Sequence, residues 1–331
     1  MFARVVCGVW PILVVICSVN CFAAGALGQS FFLNTVSWGV SGDVNADFGH
    51  AKQINSGDIS SGTGLVSLDG AASESVETPA PHLGSASAFV QLSASALQGE
   101  LHAKIDGGGH AFNGGGSGNN TGFGSAHIGL ASVIARWQDT AVVSFDGLPG
   151  QSIIAAGTLV IDGPMSVTIT GDPVDNRDAQ AQVRLQLRGE GIPSPPNNGY
   201  FGYSFDNLGH SGSVVKPPPL IVPTAITMKN GEAHTIDYSL ELSATAVIVS
   251  NALTAGFGDA RFFANFSQTV RWGGITSVRN AATGAPITNW TITSASGFDY
   301  SHGVPEPSCV VLLMTMVAML PMRRPRMCRR G

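Results

Sequence analysis

Apolar and polar residues alternate with a period of two along most of the chain, and a period of 3.6 is almost absent between residues 29 and 303. Ala86, Ala88, Val90, Leu92, Ala94 and Ala96 alternate with Ser85, Ser87, Phe89, Gln91, Ser93 and Ser95. Ala181, Val183, Leu185 and Leu187 alternate with glutamines and arginines, and Ile236, Tyr238, Leu240 and Leu242 with Thr235, Asp237, Ser239 and Glu241. Shorter strand candidates cover 126–137, 140–145, 158–161, 166–170, 201–205, 246–250, 268–272 and 287–293. Turn signals separate them at Asp146-Gly147, Asp162-Gly163-Pro164, Gly171-Asp172-Pro173, Asn230-Gly231 and Thr283-Gly284. Many short strands at this spacing predict an all-β, antiparallel, jelly-roll-like β-sandwich, each sheet burying one face and wetting the other.

Two stretches break the pattern. Residues 107–124 are so rich in glycine that they are expected to form a long flexible loop, and 192–196 and 216–223 read as proline-rich connections. A division into two domains near Pro217 is the alternative to one sandwich. The strands on both sides share one character, so a single body over 29–303 is expected.

The ends differ from the body. Residues 1–28 carry Arg4, an apolar segment over 5–16 and small residues at Ala26-Leu27-Gly28, the pattern of a secretory signal helix. A lipoprotein signal ending at Cys21 ranks lower, because Asn20 before it is not small and apolar. Residues 304–331 begin Val304-Pro305-Glu306-Pro307-Ser308 and continue through an apolar run to Leu320. They end in Arg323, Arg324, Arg326, Arg329 and Arg330. The prolines impose an extended elbow. A helix over 308–322 would span about 22 Å at about 1.5 Å per residue, short of a hydrocarbon core of about 30 Å. Such a transmembrane helix is a stop signal more than a permanent anchor, and the arginines would stay on the cytoplasmic side.

The order of Pro305-Glu306-Pro307, apolar helix and terminal arginine cluster resembles the sorting signal of the PEP-CTERM family. The helix here is short and rich in Met, and Pro325, Met327 and Cys328 split the cluster. The resemblance implies recognition and cleavage by an exosortase, a membrane-embedded cysteine protease, with Pro305, Glu306 and Pro307 as the recognition motif. Bodies vary widely in that family, so it implies nothing specific for residues 29–303. Residues 255–300 are loosely similar to the final strands of other such proteins.

Composition fits export. All five cysteines (Cys7, Cys17, Cys21, Cys309 and Cys328) lie in the two terminal segments. The body therefore has no disulfide, thiolate metal site or cysteine nucleophile. Of 17 Lys+Arg, Arg4 and the five tail arginines lie outside the body, leaving 11. Of 22 Asp+Glu only Glu306 does, leaving 21, so the body carries a formal charge of −10. That balance argues against nucleic acid or an anionic membrane surface as a partner.

Candidate chemistry in the body is sparse. The eight histidines show no zinc-ligand spacing and read as solvated or locally bonded. Neither glycine triplet is followed by the Lys-Ser/Thr of a phosphate loop, and no Gly-x-Ser-x-Gly elbow occurs. Asp172, Asp175 and Asp178 form the one acidic cluster, around a Gly-Asp-Pro turn that a calcium ion would suit. A solvated turn is the alternative, and no cofactor is expected. Trp137, Trp272 and Trp290 with Tyr200, Tyr203 and Phe298 are candidates for a sugar-stacking platform, although tryptophan in such a fold more often belongs to the core. The expectation is an exported protein of the envelope or extracellular matrix, not an enzyme, whose body has a structural or interaction role. A carbohydrate-binding module with extracellular polysaccharide as partner is the alternative, and a glycan-active enzyme ranks below it.

Overall fold

The computed structural model describes residues 31–46, 50–78, 84–114, 123–171, 179–192, 200–208, 212–215, 220–250 and 256–304. These form β-strands and turns, with no helix among them. The strands are β1 (Leu33–Ala46), β2 (His50–Gly62), β3 (Val66–Glu77), β4 (Gly84–Leu97), β5 (Glu100–Asn113), β6 (Gly124–Phe145), β7 (Ser152–Ile161) and β8 (Met165–Gly171). They continue as β9 (Gln180–Gly189), β10 (Tyr200–Leu208), β11 (Gly212–Val215), β12 (Leu220–Lys229), β13 (Ala233–Ser250), β14 (Gly256–Asn280), β15 (Pro286–Ile287) and β16 (Trp290–Ser294). The expected signal helix over 1–28 and the helix over 308–322 lie outside the described residues.

All pairing is antiparallel, in two sheets. The first runs β10-β9-β13-β6-β1-β2, with β16 on the end of β6; the second runs β11-β8-β14-β5-β4-β3, with β7 between β14 and β12. The register shows that several strands are successive pieces of one line. β8 pairs with 258–264 of β14 and β7 with 270–280, so the two lie end to end along β14. β11 and β12 continue that arrangement on the outer side. In the first sheet β16 takes over from β1 beside β6 at Ala141–Phe145.

The buried faces of the two sheets meet. β4 and β5 of the second sheet lie against β1, β6 and β13 of the first. β4 buries Ala86, Ala88, Val90, Leu92, Ala94 and Ala96, the apolar members of its alternation. β9 and β13 do the same with Ala181–Leu187 and Ile236–Leu242. The core tapers along the strands. At one end small residues let the backbones approach, and a Cβ on Gly109 would stand 2.8 Å from the Cβ of Ala126. At the other end Trp137, Tyr238, Trp272 and Tyr300 are fully buried.

The structure corrects four expectations. The glycine-rich stretch is not one loop: Gly107–Asn113 completes β5, and Gly124 opens β6, while residues 115–122 lie outside the described residues. Glycine is required here by contact. A Cβ on Gly107 would meet the Phe89 carbonyl oxygen at 2.6 Å and the Phe262 ring at 2.8 Å. The proline-rich connection at 216–223 ends early, because Leu220–Pro223 belongs to β12. That strand has only β7 beside it, and an edge strand tolerates the missing N–H of Pro223. Asp162-Gly163-Pro164 separates β7 from β8 without reversing the chain. The Asn265 N–H donates to the Pro164 carbonyl at 2.9 Å, which keeps the break on β14. Finally, the candidates over 126–137 and 140–145 are one strand, and 287–293 is split between β15 and β16.

Three strands escape the alternation. β2 is exposed on both faces apart from Ile54, so its sequence has no apolar side to display. β1 and β3 carry several glycines, serines and alanines where larger apolar residues would mark the period.

Gly109→Val should destabilise the protein by about 1–3 kcal/mol, the ordinary cost of overpacking. Gly64→Ala, at a glycine with nothing within 4 Å of the added carbon, should stay within about 0.5 kcal/mol of the parent. Equal urea midpoints for the two variants would remove the close approach of the sheets at Gly109.

Candidate functional site

The sequence motifs that point most directly to function cannot be placed. Pro305, Glu306 and Pro307, the arginines from Arg323 to Arg330, and Asp172, Asp175 and Asp178 all lie outside the described residues. Two arrangements in the body can be built from their residues upward.

The first is an aromatic clasp at the large end of the core. Trp137 packs on Tyr238 at 5.2 Å between centroids, Tyr238 on Trp272 at 6.1 Å, and Trp272 edge-on to Tyr300 at 5.7 Å. Phe298 closes the row against Tyr300 at 4.7 Å. Trp137 and Trp272 are therefore core residues, as is usual for tryptophan in such folds, and Trp290 and Phe298 are packed against that core. No platform forms from these four; the side chains of Tyr200 and Tyr203 lie outside the description.

Asp139 stands beside this row with no exposed surface. Its carboxylate accepts from the Ser296 hydroxyl at 2.5 Å, the Tyr300 hydroxyl at 3.1 Å, and the Thr140 and Ser296 N–H groups at 2.8 and 3.2 Å. Three of these four donors come from the strap after β16, so one buried carboxylate fastens that strap to β6. The Tyr300 carbonyl accepts from the Trp272 indole at 2.8 Å, and the Val304 N–H donates to the Trp272 carbonyl at 2.8 Å. Burial, reinforced by the Asp139 charge, holds the Tyr300 hydroxyl far above the ordinary phenol range. Burial does the same to Tyr238, whose hydroxyl donates to the Glu190 carbonyl at 2.9 Å. Sequence reading missed this cluster. Its signal was an acid within the apolar β6, where aspartate is depleted.

The second arrangement is the outer face of the second sheet. Register sets its rows: Asp69, Ser93, Lys104 and Asn265 lie side by side across β3, β4, β5 and β14, and Ala71, Gln91, Asp106 and Phe263 form the next row. In the third row Gly108 lies between Phe89 and Arg261. A Cβ on Gly108 would stand 3.0 Å from the Arg261 Cγ. Its absence lets the guanidinium reach to 5.9 Å from the Phe89 centroid. His110 follows, bonded to Asp259 at 3.0 Å and stacked on Phe257. On the same face an open depression of about 460 Å³ lies between Asp69, Gln91, Ser93 and Lys104. A smaller one of about 180 Å³ shares Asp69 and Ser93 and runs on to Ser95 and His102.

The five histidines whose side chains are described each have an acidic partner, within the solvated or locally bonded reading: His102 pairs with Glu100, His110 with Asp259, His127 with Asp43, His234 with Glu190 and His302 with Asp299. Among the described residues no three His, Cys, Asp or Glu side chains converge as metal ligands. Among the described residues, too, no helix is long and apolar enough to cross a membrane. No protein-family model and no curated protein matches this chain.

Ionisation of Tyr238 and Tyr300 is expected only with unfolding. Their hydroxyls are held above the ordinary value of about 10, so the stabilisation is intact below pH about 10 and lost as the pH rises past it, where the unfolded chain ionises first. Phenolate absorbance near neutral-fold conditions at pH 10–11 should therefore lag behind free tyrosine and rise together with loss of the β circular-dichroism signal. Asp139→Ala should cost about 1–3 kcal/mol for each hydroxyl donor it leaves buried and unpaired. An unchanged denaturation midpoint would show that the carboxylate does not hold the strap.

Proposed function

We propose that the chain is an exported protein sorted by an exosortase through Pro305-Glu306-Pro307, and that its body, a jelly-roll-like sandwich, has a structural or interaction role at the cell envelope or in the extracellular matrix. The tail carries the reading: an extended Pro-Glu-Pro elbow, one short apolar helix and five arginines, in the order of a PEP-CTERM signal. An N-terminal signal pattern and the restriction of every cysteine to the two ends support it.

In this reading the N-terminal segment directs export and the apolar tail helix halts in the membrane. The arginines hold that helix with its basic end inside, and the protease releases the body on the far side. The Asp139 clasp bears on the last step. It ties the strap to the sheets, so the chain is held to the body as far as Val304, the residue before the motif.

Replacing Pro305, Glu306 and Pro307 by alanine should leave export intact and abolish removal of the tail. Mass spectrometry of the envelope fraction reads the mature C-terminus directly, and an unchanged terminus in the variant would sink the exosortase reading. Changing the five tail arginines to glutamine should lower the amount of membrane-held precursor, because the stop and the orientation depend on those charges. Equal precursor in both strains would mean that the tail is no stop signal.

A further inference from the structure

On the first sheet Arg136 grips Asp237 through two N–H groups and Arg188 pairs with Glu241; at the sheet edge Lys52 pairs with Glu74. On the outer face of the second sheet, Asp69, Gln91 and Lys104, which line the depression, and Asp106 in the row beside them make no hydrogen bond or ion pair with any other described residue. Opposite charges sit in adjacent rows without closing on each other. The floor is low because the intervening residues, Ala71 and Ser93, are small. The result is an open track with an ammonium, an amide, hydroxyls and two carboxylates facing solvent at cross-strand spacings of about 5 Å. Phe263 stands at the end of the Asp106 row with its ring only half covered.

We propose that this track binds an extended neutral polysaccharide. Its mixture of free donors and acceptors suits a ligand that offers hydroxyls on every side, each both donor and acceptor. An anionic polymer would meet Asp69 and Asp106 on a body of strongly negative charge, and a polycation would meet Lys104. The volume of about 460 Å³ falls within the ordinary ligand range of roughly 300–1,000 Å³, and the smaller depression shares Asp69 and Ser93 with it and so lengthens the track.

The proposal rests on reading the body as an interaction module and is independent of how the tail is sorted. The full chain, purified in mild detergent, is run in native gels containing hydroxyethylcellulose, dextran or alginate. A neutral glucan should retard it, with the apparent Kd raised at least tenfold in the double variant Asp69→Ala/Lys104→Ala and in Gln91→Ala. The melting temperature should stay unchanged in these variants, because the side chains hold nothing else in place. Arg136→Ala, on the other sheet, should bind as the parent does. No retardation by either neutral polymer would overturn the proposal, as would equal retardation of parent and double variant. Retardation by alginate alone would also overturn it, by assigning the face to anionic polymers. Mature C-termini measured in cells are a separate readout, so failure of binding and failure of sorting are distinguished.

Discussion

The lack of a Cβ at Gly107 and Gly109, the second of which faces the other sheet, sets the geometry of everything else. A strand that carries no Cβ at these positions can pass within contact distance of the Phe89 backbone on its own sheet and of Ala126 and Ile248 on the other. The sheets converge there and diverge towards Trp137 and Trp272, and the aromatic row fills the wider end. Convergence has a cost, since glycine loses more backbone freedom than any other residue on joining a strand. The long registers of β5 with β4 and β14 offset that cost by supplying a partner for every backbone group of the segment.

The wide end is where the chain finishes its described course, and it is held by polar contacts as much as by packing. A carboxylate buried without partners would be prohibitive, but Asp139 has two hydroxyl and two N–H donors. Such a network contributes specificity more than net stability, because it is satisfied in only one placement of the strap. Ser294 reinforces that placement by donating to the Phe298 carbonyl at 2.9 Å. The aromatic row and the carboxylate thus act on the same segment from two sides, one by burial and one by direction.

Much of the fold was legible where a strand has one buried face and one wet face. β4 and β9 read correctly from alternation alone, and β13 was read as two strands, around 236–242 and 246–250, where the structure has one, Ala233–Ser250. β2 was not legible, because an edge strand wet on both sides has no period. β5 was misread because glycine hides the period, although Leu101, Ala103, Ile105 and Ala111 keep the phase on either side of Gly107 and Gly109. The tail stands out in the sequence because its residues are consecutive, and it lies outside the described residues. The outer face was not legible, because Asp69, Gln91 and Lys104 belong to three strands and come together only through register.

The same logic governs how the sheet edges are kept from pairing with other chains. A chain with few charges and long strands offers many free N–H and C=O groups at the borders of its sheets. At the border formed by β2 and β3, Lys52 and Glu74 reach across from one sheet to the other at 3.4 Å. Both are too exposed for the pair to add much stability. Their charges nonetheless sit on the row of backbone groups that an incoming strand would need. At the opposite border β12 places Pro223 in mid-strand, which deletes one ladder donor and obstructs a neighbour's approach. Outer-face polarity, edge charge and edge proline leave apolar burial as an internal affair between the two sheets.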